Sequence, residues 1–291
     1  MQVGQFVCVQ CVSFLSLTWW FFTFCTEKRL TFCSSTLKKV YLSGDIKTFN
    51  MKKLLTLMLL LLAVSLSAQE PITGKYKKAL VIGAHPDDPE SMCGGTMLRL
   101  KEQGCEVVCV YFTCGEGGIP GKTHAEAAAI RRQESLESCK VMGVRPVFMT
   151  QIDGDTQINK DKYKEMKDLI DREKPDLVIT HWPIDGHRDH RVCSVLVYDA
   201  WRQSKYAFDL YYGEVMTGMQ TQMFTPTVYV NIDSTVELKR KAYMCHVSQG
   251  TEANIEKWHE IIGRMRGREF HCTHAEAFVK QVWKSSDLLD R

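Results

Sequence analysis

From Lys78 onward the chain alternates short apolar runs with longer amphipathic stretches. Lys78–Ala84, Glu106–Thr113, Pro146–Thr150 and Asp176–His181 are rich in apolar and β-branched residues and are bounded by glycine, proline or polar positions. That pattern predicts buried strands. Between them, Thr96–Gln103, Ala125–Met142 and Asp161–Arg172 carry apolar residues at helical spacing, as in Tyr163, Met166, Leu169 and Ile170, and each stops at a glycine or at Lys174-Pro175. Asp189–Gln203 continues the series, with Val192, Val195, Leu196 and Trp201 as core candidates. Strands alternating with helices of this length predict βαβ units and an α/β, Rossmann-like three-layer domain with a mostly parallel sheet. In such a fold the active site belongs at the carboxyl edge of the strands. After Tyr206 the pattern shortens: Leu210–Met216 and Thr227–Val230 predict strands, and Ser234–His246 and Glu252–Arg268 predict helices.

The first 68 residues follow a different logic. Met51-Lys52-Lys53 is a basic start, Leu54–Leu66 is almost wholly apolar, and Ser65-Leu66-Ser67-Ala68 ends in small residues. This is the pattern of a secretory signal peptide cleaved after Ala68. The apolar stretch is short for a membrane span of roughly 20 residues. A signal peptide belongs at the start of a translated chain. Residues 1–50 are therefore expected to be a gene-model extension outside the fold, residues 51–68 the signal peptide, and residues 69–291 a single domain. The product is expected to be exported, periplasmic or secreted, with no stable membrane insertion after cleavage.

This division changes the charge balance. Residues 1–68 carry seven of the 37 basic and two of the 34 acidic residues, which leaves 30 against 32 and turns a formal +3 into −2. Without a basic run in the rest, a nucleic-acid partner is not expected. The remaining cysteines, among them Cys105 and Cys109 in a strand-like run, form no CxxC pair, so a structural zinc site is not expected either.

The chemistry concentrates in two places. His85-Pro86-Asp87-Asp88 follows the first strand, and His187-Arg188-Asp189-His190 follows the fourth. His85 and Asp88 can converge across a turn, because Pro86 fixes its own φ and biases His85 toward extended backbone. Asp87 lies beside the same point and is free to act as a general base. His187 and His190 are one helical turn apart, and Asp189 or an acidic neighbour can orient an imidazole. Each cluster alone is as easily a plain polar turn as a site. Both at carboxyl ends of predicted strands point to a divalent metal and metal-assisted hydrolysis. The glycines of Gly115–Gly118 lack the GxGxxG spacing of a dinucleotide site.

Val81-Ile82-Gly83-Ala84-His85-Pro86-Asp87-Asp88 together with His187-Arg188-Asp189-His190-Arg191 resembles the LmbE-like, or PIG-L, zinc N-deacetylases. Thr113-Cys114-Gly115-Glu116-Gly117, Arg131-Arg132-Gln133-Glu134 and Asp153-Gly154 extend the likeness over about Lys78 to Arg202. One departure is Pro89, which separates Asp88 from Glu90. The resemblance implies zinc, with iron as the alternative, held by His85, Asp88 and His190. It implies Asp87 as the general base, His187 as the stabiliser of the oxyanion, Asp189 in support, and Arg131 as a substrate or structural contact. The implied reaction removes an N-acyl group, most often acetyl, from an amino sugar or glycoconjugate. Its rivals are a zinc amidase acting on a sugar conjugate and a carbohydrate-binding member without catalysis.

Overall fold

Strand β1 (Lys78–Gly83) lies at the centre of a seven-stranded sheet of order β3-β2-β1-β4-β5-β7-β6 in the computed structural model, which describes residues 74–283. The expected signal peptide and the segment before it lie outside the described residues. β2 (Glu106–Thr113), β3 (Arg145–Gln151), β4 (Leu177–His181) and β5 (Asp209–Gly213) all run parallel to their neighbours in the first five strands. The chain goes from β1 outward to β3, then returns to place β4 on the other side of β1. The order therefore reverses between β1 and β4, and their carboxyl ends flank the crevice where open α/β sheets bind ligands.

The layers follow from the alternation of side chains along each strand. Leu80 and Ile82 of β1 pack on one face with Met166, Leu169 and Ile170 of α3 (Lys160–Glu173) and Leu196, Val197 and Trp201 of α4 (Arg188–Gln203). Ala79 and Val81 pack on the other with Met92 and Met97 of α1 (Asp88–Glu102) and Cys139 and Met142 of α2 (His124–Met142). α2 starts with a full capping box, Thr123 and Glu126 each bonding the other's backbone N–H, and ends on Gly143 in the left-handed region at φ 63°. None of the described helices is long and apolar enough to cross a membrane.

Several elements differ from the sequence expectation. The first helix starts at Asp88, not Thr96, and carries a kink at Cys93 (φ −150°). Gly94-Gly95 marks that kink: a Cβ on Gly95 would sit 2.6 Å from Ile232 Cγ2, so close packing requires the glycine. The renewed helix is capped from a distance, since Glu276 accepts the N–H groups of Gly95 (2.9 Å) and Thr96 (2.6 Å). Lys239 Nζ pairs with the same carboxylate at 2.6 Å and also donates to Ser91 O, so this buried charge is compensated.

Glu276 belongs to β7 (Ala275–Lys280), a strand that periodicity did not reveal and that runs antiparallel between β5 and β6 (Val228–Asn231). β5 stops at Gly213 instead of continuing to Met216. The expected helix over Ser234–His246 is α5 (Val236–Tyr243). The expected helix over Glu252–Arg268 is α6 (Thr251–Asn254), a π-helical turn (Ile255–His259) and α7 (Glu260–Glu269).

Candidate active site

The two sequence clusters meet. His85 and Asp88 come from the β1–α1 junction and His187 and His190 from the start of α4, and they share the wall of a cavity of about 470 Å³ with Asp87, Arg131 and Asp153, while Asp189 lies buried behind it. Asp88 Oδ2 is the focus: it accepts the His85 backbone N–H (2.7 Å) and lies 3.1 Å from His85 Nδ1, 3.3 Å from His190 Nε2 and 3.4 Å from His181 Nε2.

The far side of each imidazole decides which nitrogen is free. His85 Nε2 faces Asp189 Oδ2 and Asp153 Oδ1, each at 3.2 Å, so its proton belongs there. His190 Nδ1 faces Asp185 Oδ1 at 3.1 Å. His85 Nδ1 and His190 Nε2, the nitrogens with no second carboxylate behind them, are left directed at Asp88. Carboxylates behind imidazoles are the usual way a metal site fixes tautomers.

His181 and His187 behave differently. His181 Nε2 accepts the Ala84 N–H at 2.8 Å, which uses its lone pair to hold the end of β1. His187, the N-cap of α4, accepts the Asp189 N–H on Nδ1 at 3.2 Å, which puts its proton on Nε2. Burial, with the His190 charge, pushes His181 down to about 4; burial, with the His85 charge, also lowers His187. Both rings are neutral. Three-donor groupings among the described residues include His85–His187–His190 and Asp88–His181–His190, each with its donor atoms within 4.8 Å. Lone-pair use removes His181 and His187 from these as donors.

Charge is arranged in the same sense. Burial alone would discharge His190, but Asp88 and Asp185 overcome it and raise the ring to about 9. His85 is likewise raised against burial by Asp153, Asp189 and Asp88. In return Asp88 is held well below the usual carboxylate range against its burial, chiefly by the His190 charge. Protons thus occupy the donor nitrogens when no cation does, and a divalent cation must displace them. Asp87 moves the other way: burial raises it to about 6, with Arg131 opposing.

Arg131 reaches in from α2. Its guanidinium donates to Pro86 O and lies 3.2 Å from Asp87 Oδ2, so it grips the turn that presents the carboxylate. The glycine loop exists to let it through. A Cβ on Gly115 would sit 2.4 Å from Arg131 Nη1, and Gly115 is itself at φ 68°. The expected support from Asp189 takes a definite form: it accepts from Gly154 N–H (2.8 Å) and Thr156 Oγ (2.6 Å) as well as facing His85.

The structure therefore gathers His85, Asp87, Asp88, Arg131, His187, Asp189 and His190 into one place. Sequence reasoning missed Asp153 and Asp185 as imidazole partners. The only sequence signal for Asp153 was the Asp-Gly turn after the third strand; Asp185 lies two residues before His187 and could have been weighed as the acidic neighbour. Glu90, fully buried, accepts from Tyr111 Oη (2.5 Å) and Ser138 Oγ (2.7 Å) and lies 3.2 Å from His246 Nε2, which anchors α1 to β2 and α2. Trp201 is a core residue, as expected from its helical position.

Comparison with known proteins bears on this arrangement. The PIG-L family model, described as GlcNAc-PI de-N-acetylase, matches residues 80–201. A diacetylchitobiose deacetylase from Thermococcus kodakarensis is 30% identical over 216 residues, covering 67% of this chain and 80% of the relative. The chain belongs to the PIG-L (LmbE-like) deacetylase family. The solved N,N'-diacetylchitobiose deacetylase of Pyrococcus horikoshii superposes with a TM-score of 0.63 at 26% identity, covering 82% of this chain and 94% of that one. The PIG-L fold also carries other chemistry: a 4-oxalmesaconate hydratase of Pseudomonas putida is 29% identical over 46% of this chain and 55% of the relative.

Proposed function

We propose that the chain is an exported, zinc-dependent hydrolase that removes the N-acetyl group of an amino sugar or short glycoconjugate. The observation that carries the reading is the convergence of His85 Nδ1 and His190 Nε2 on Asp88 Oδ2, with Asp87 and His187 beside them in one cavity. The diacetylchitobiose deacetylase covers far more of this PIG-L member than the hydratase does, which favours amide hydrolysis over hydration.

The donor set fits a divalent ion. His85 Nδ1, Asp88 Oδ2 and His190 Nε2 would supply the nitrogen and oxygen ligands of an open catalytic zinc site, and iron suits the same donors. When bound, the ion supplies acidification of water and polarisation of the acyl carbonyl. The chain's own residues do the rest. Asp87, as carboxylate, takes a proton from the attacking water. Arg131 holds Asp87 in place through Pro86 O. His187 keeps Nε2–H as its donor because Asp189 N–H occupies Nδ1, and that donor stabilises the oxygen that gains charge as the amide carbon becomes tetrahedral. Such a donor contributes about 3–4 kcal/mol to lowering the barrier. The amine then leaves with the proton that Asp87 collected.

The reading is tested by acetate release from N-acetylglucosamine and N,N'-diacetylchitobiose, before and after treatment with a chelator. Acetate and a free amine in equal amounts are expected, abolished by chelation and restored by zinc. Activity that survives complete metal removal would overturn it. Export is tested separately by the N-terminus of the mature protein, expected at Gln69.

A further inference from the structure

Tyr243, at the end of α5, lines the same cavity with Gln249 and Asn254. Its ring packs on His259, with 4.1 Å between centroids. His259 Nε2 lies 3.2 Å from Ser91 Oγ, and that hydroxyl accepts the Met216 N–H at 3.1 Å, so its proton is turned to the imidazole. Burial holds His259 down to about 3, so a neutral ring backs the phenol. His259, which packs on Tyr243, closes a π-helical turn that begins just after Asn254. Such widened turns recur at functional sites.

The Asn254 amide donates to Gln249 O at 3.3 Å. The phenol lines the cavity, and its proton is available to a ligand bound there. Burial and the nearby Asp87 and Asp88 charges raise the phenol above its ordinary range, which keeps that proton in place. The polar atoms of the acetamide already have partners in Asp87, His187 and the metal donors, which leaves the oxygens of the sugar.

From this geometry we propose that Tyr243 contacts the substrate, its O–H donating a hydrogen bond to an oxygen of the sugar that carries the N-acyl group. The inference rests on the deacetylase reading above. It implies a second recognition wall, built from the segment between β6 and β7 and independent of the metal donors.

The test compares full-chain wild type and Tyr243→Phe on N,N'-diacetylchitobiose, with kcat, KM, metal content and melting temperature measured on the same preparations. Tyr243→Phe removes one oxygen and little volume. A fall in kcat/KM of about tenfold is expected, the size of one neutral hydrogen bond. KM should carry it, because a sugar oxygen is bound alike in ground and transition states. Metal content and melting temperature should not move.

Unchanged kcat/KM in Tyr243→Phe with an active wild type overturns this proposal alone. A fall confined to kcat would put the phenol on the reacting atoms and also overturn it. A wild type that releases no acetate from any N-acetyl sugar overturns the deacetylase reading, and the proposal with it.

Discussion

Asp87 sits at φ 108°, ψ −29°, in the left-handed region where a residue with a Cβ is strained. Such strain costs on the order of 1–3 kcal/mol and persists only where the surroundings over-determine it. Here Arg131 holds the preceding carbonyl and the Asp87 carboxylate, while Ser91 N–H bonds Asp87 O at 2.9 Å. The strain turns Asp87 away from the donors gathered on Asp88 and leaves it partly exposed in the cavity. Asp87→Asn should keep its metal and lose about 100-fold or more in kcat, the usual contribution of a positioned base; near-wild-type turnover would remove the assignment. Because the base acts as a carboxylate, kcat/KM should fall as pH drops through about 6. The Arg131 charge lowers Asp87, so Arg131→Gln should move that acid limb to higher pH in a pH–rate profile. A limb that stays put would show that Arg131 does not tune the base.

At the scale of elements, the site is an agreement between glycines and long side chains. Gly115 is required twice over, by its positive φ and by Arg131 Nη1, which would lie 2.4 Å from an added Cβ. Gly115→Ala should therefore destabilise the fold by about 1–3 kcal/mol in chemical denaturation and lower activity by displacing Arg131. A variant as stable and active as wild type would contradict this account of the loop. The helix start shows where sequence reasoning lost its way. The helix was expected only from Thr96, after Gly94-Gly95; Ile232 and Glu276, distant in sequence, make those glycines fit inside a kinked helix. β7 was hidden for the same reason. Its Glu276 looks misplaced in a strand, yet it is fully buried as the cap of α1 and the partner of Lys239.

Across the whole molecule, the parallel half of the sheet was legible because each strand carries its own apolar run, and the reversal between β1 and β4 then places both histidine clusters at one crevice. His85, Asp87, Asp88, His187 and His190 were legible because ligand-type residues stand at the ends of those runs. Asp153, Asp185 and Tyr243 were not, since single polar residues in loops and helices gain meaning only from what the fold sets beside them. The antiparallel strands and the segment between them carry no periodic pattern of comparable strength, and that part supplies the second wall of the cavity. The central claim is that the fold turns two imidazole nitrogens and one carboxylate oxygen toward one point for a divalent ion. Anomalous diffraction from a zinc-loaded crystal tests it directly. One ion bonded to His85 Nδ1, Asp88 and His190 Nε2, at about 2.0–2.2 Å, is the expected result. An ion held by His181 or His187 instead, or none at this crevice, would contradict it.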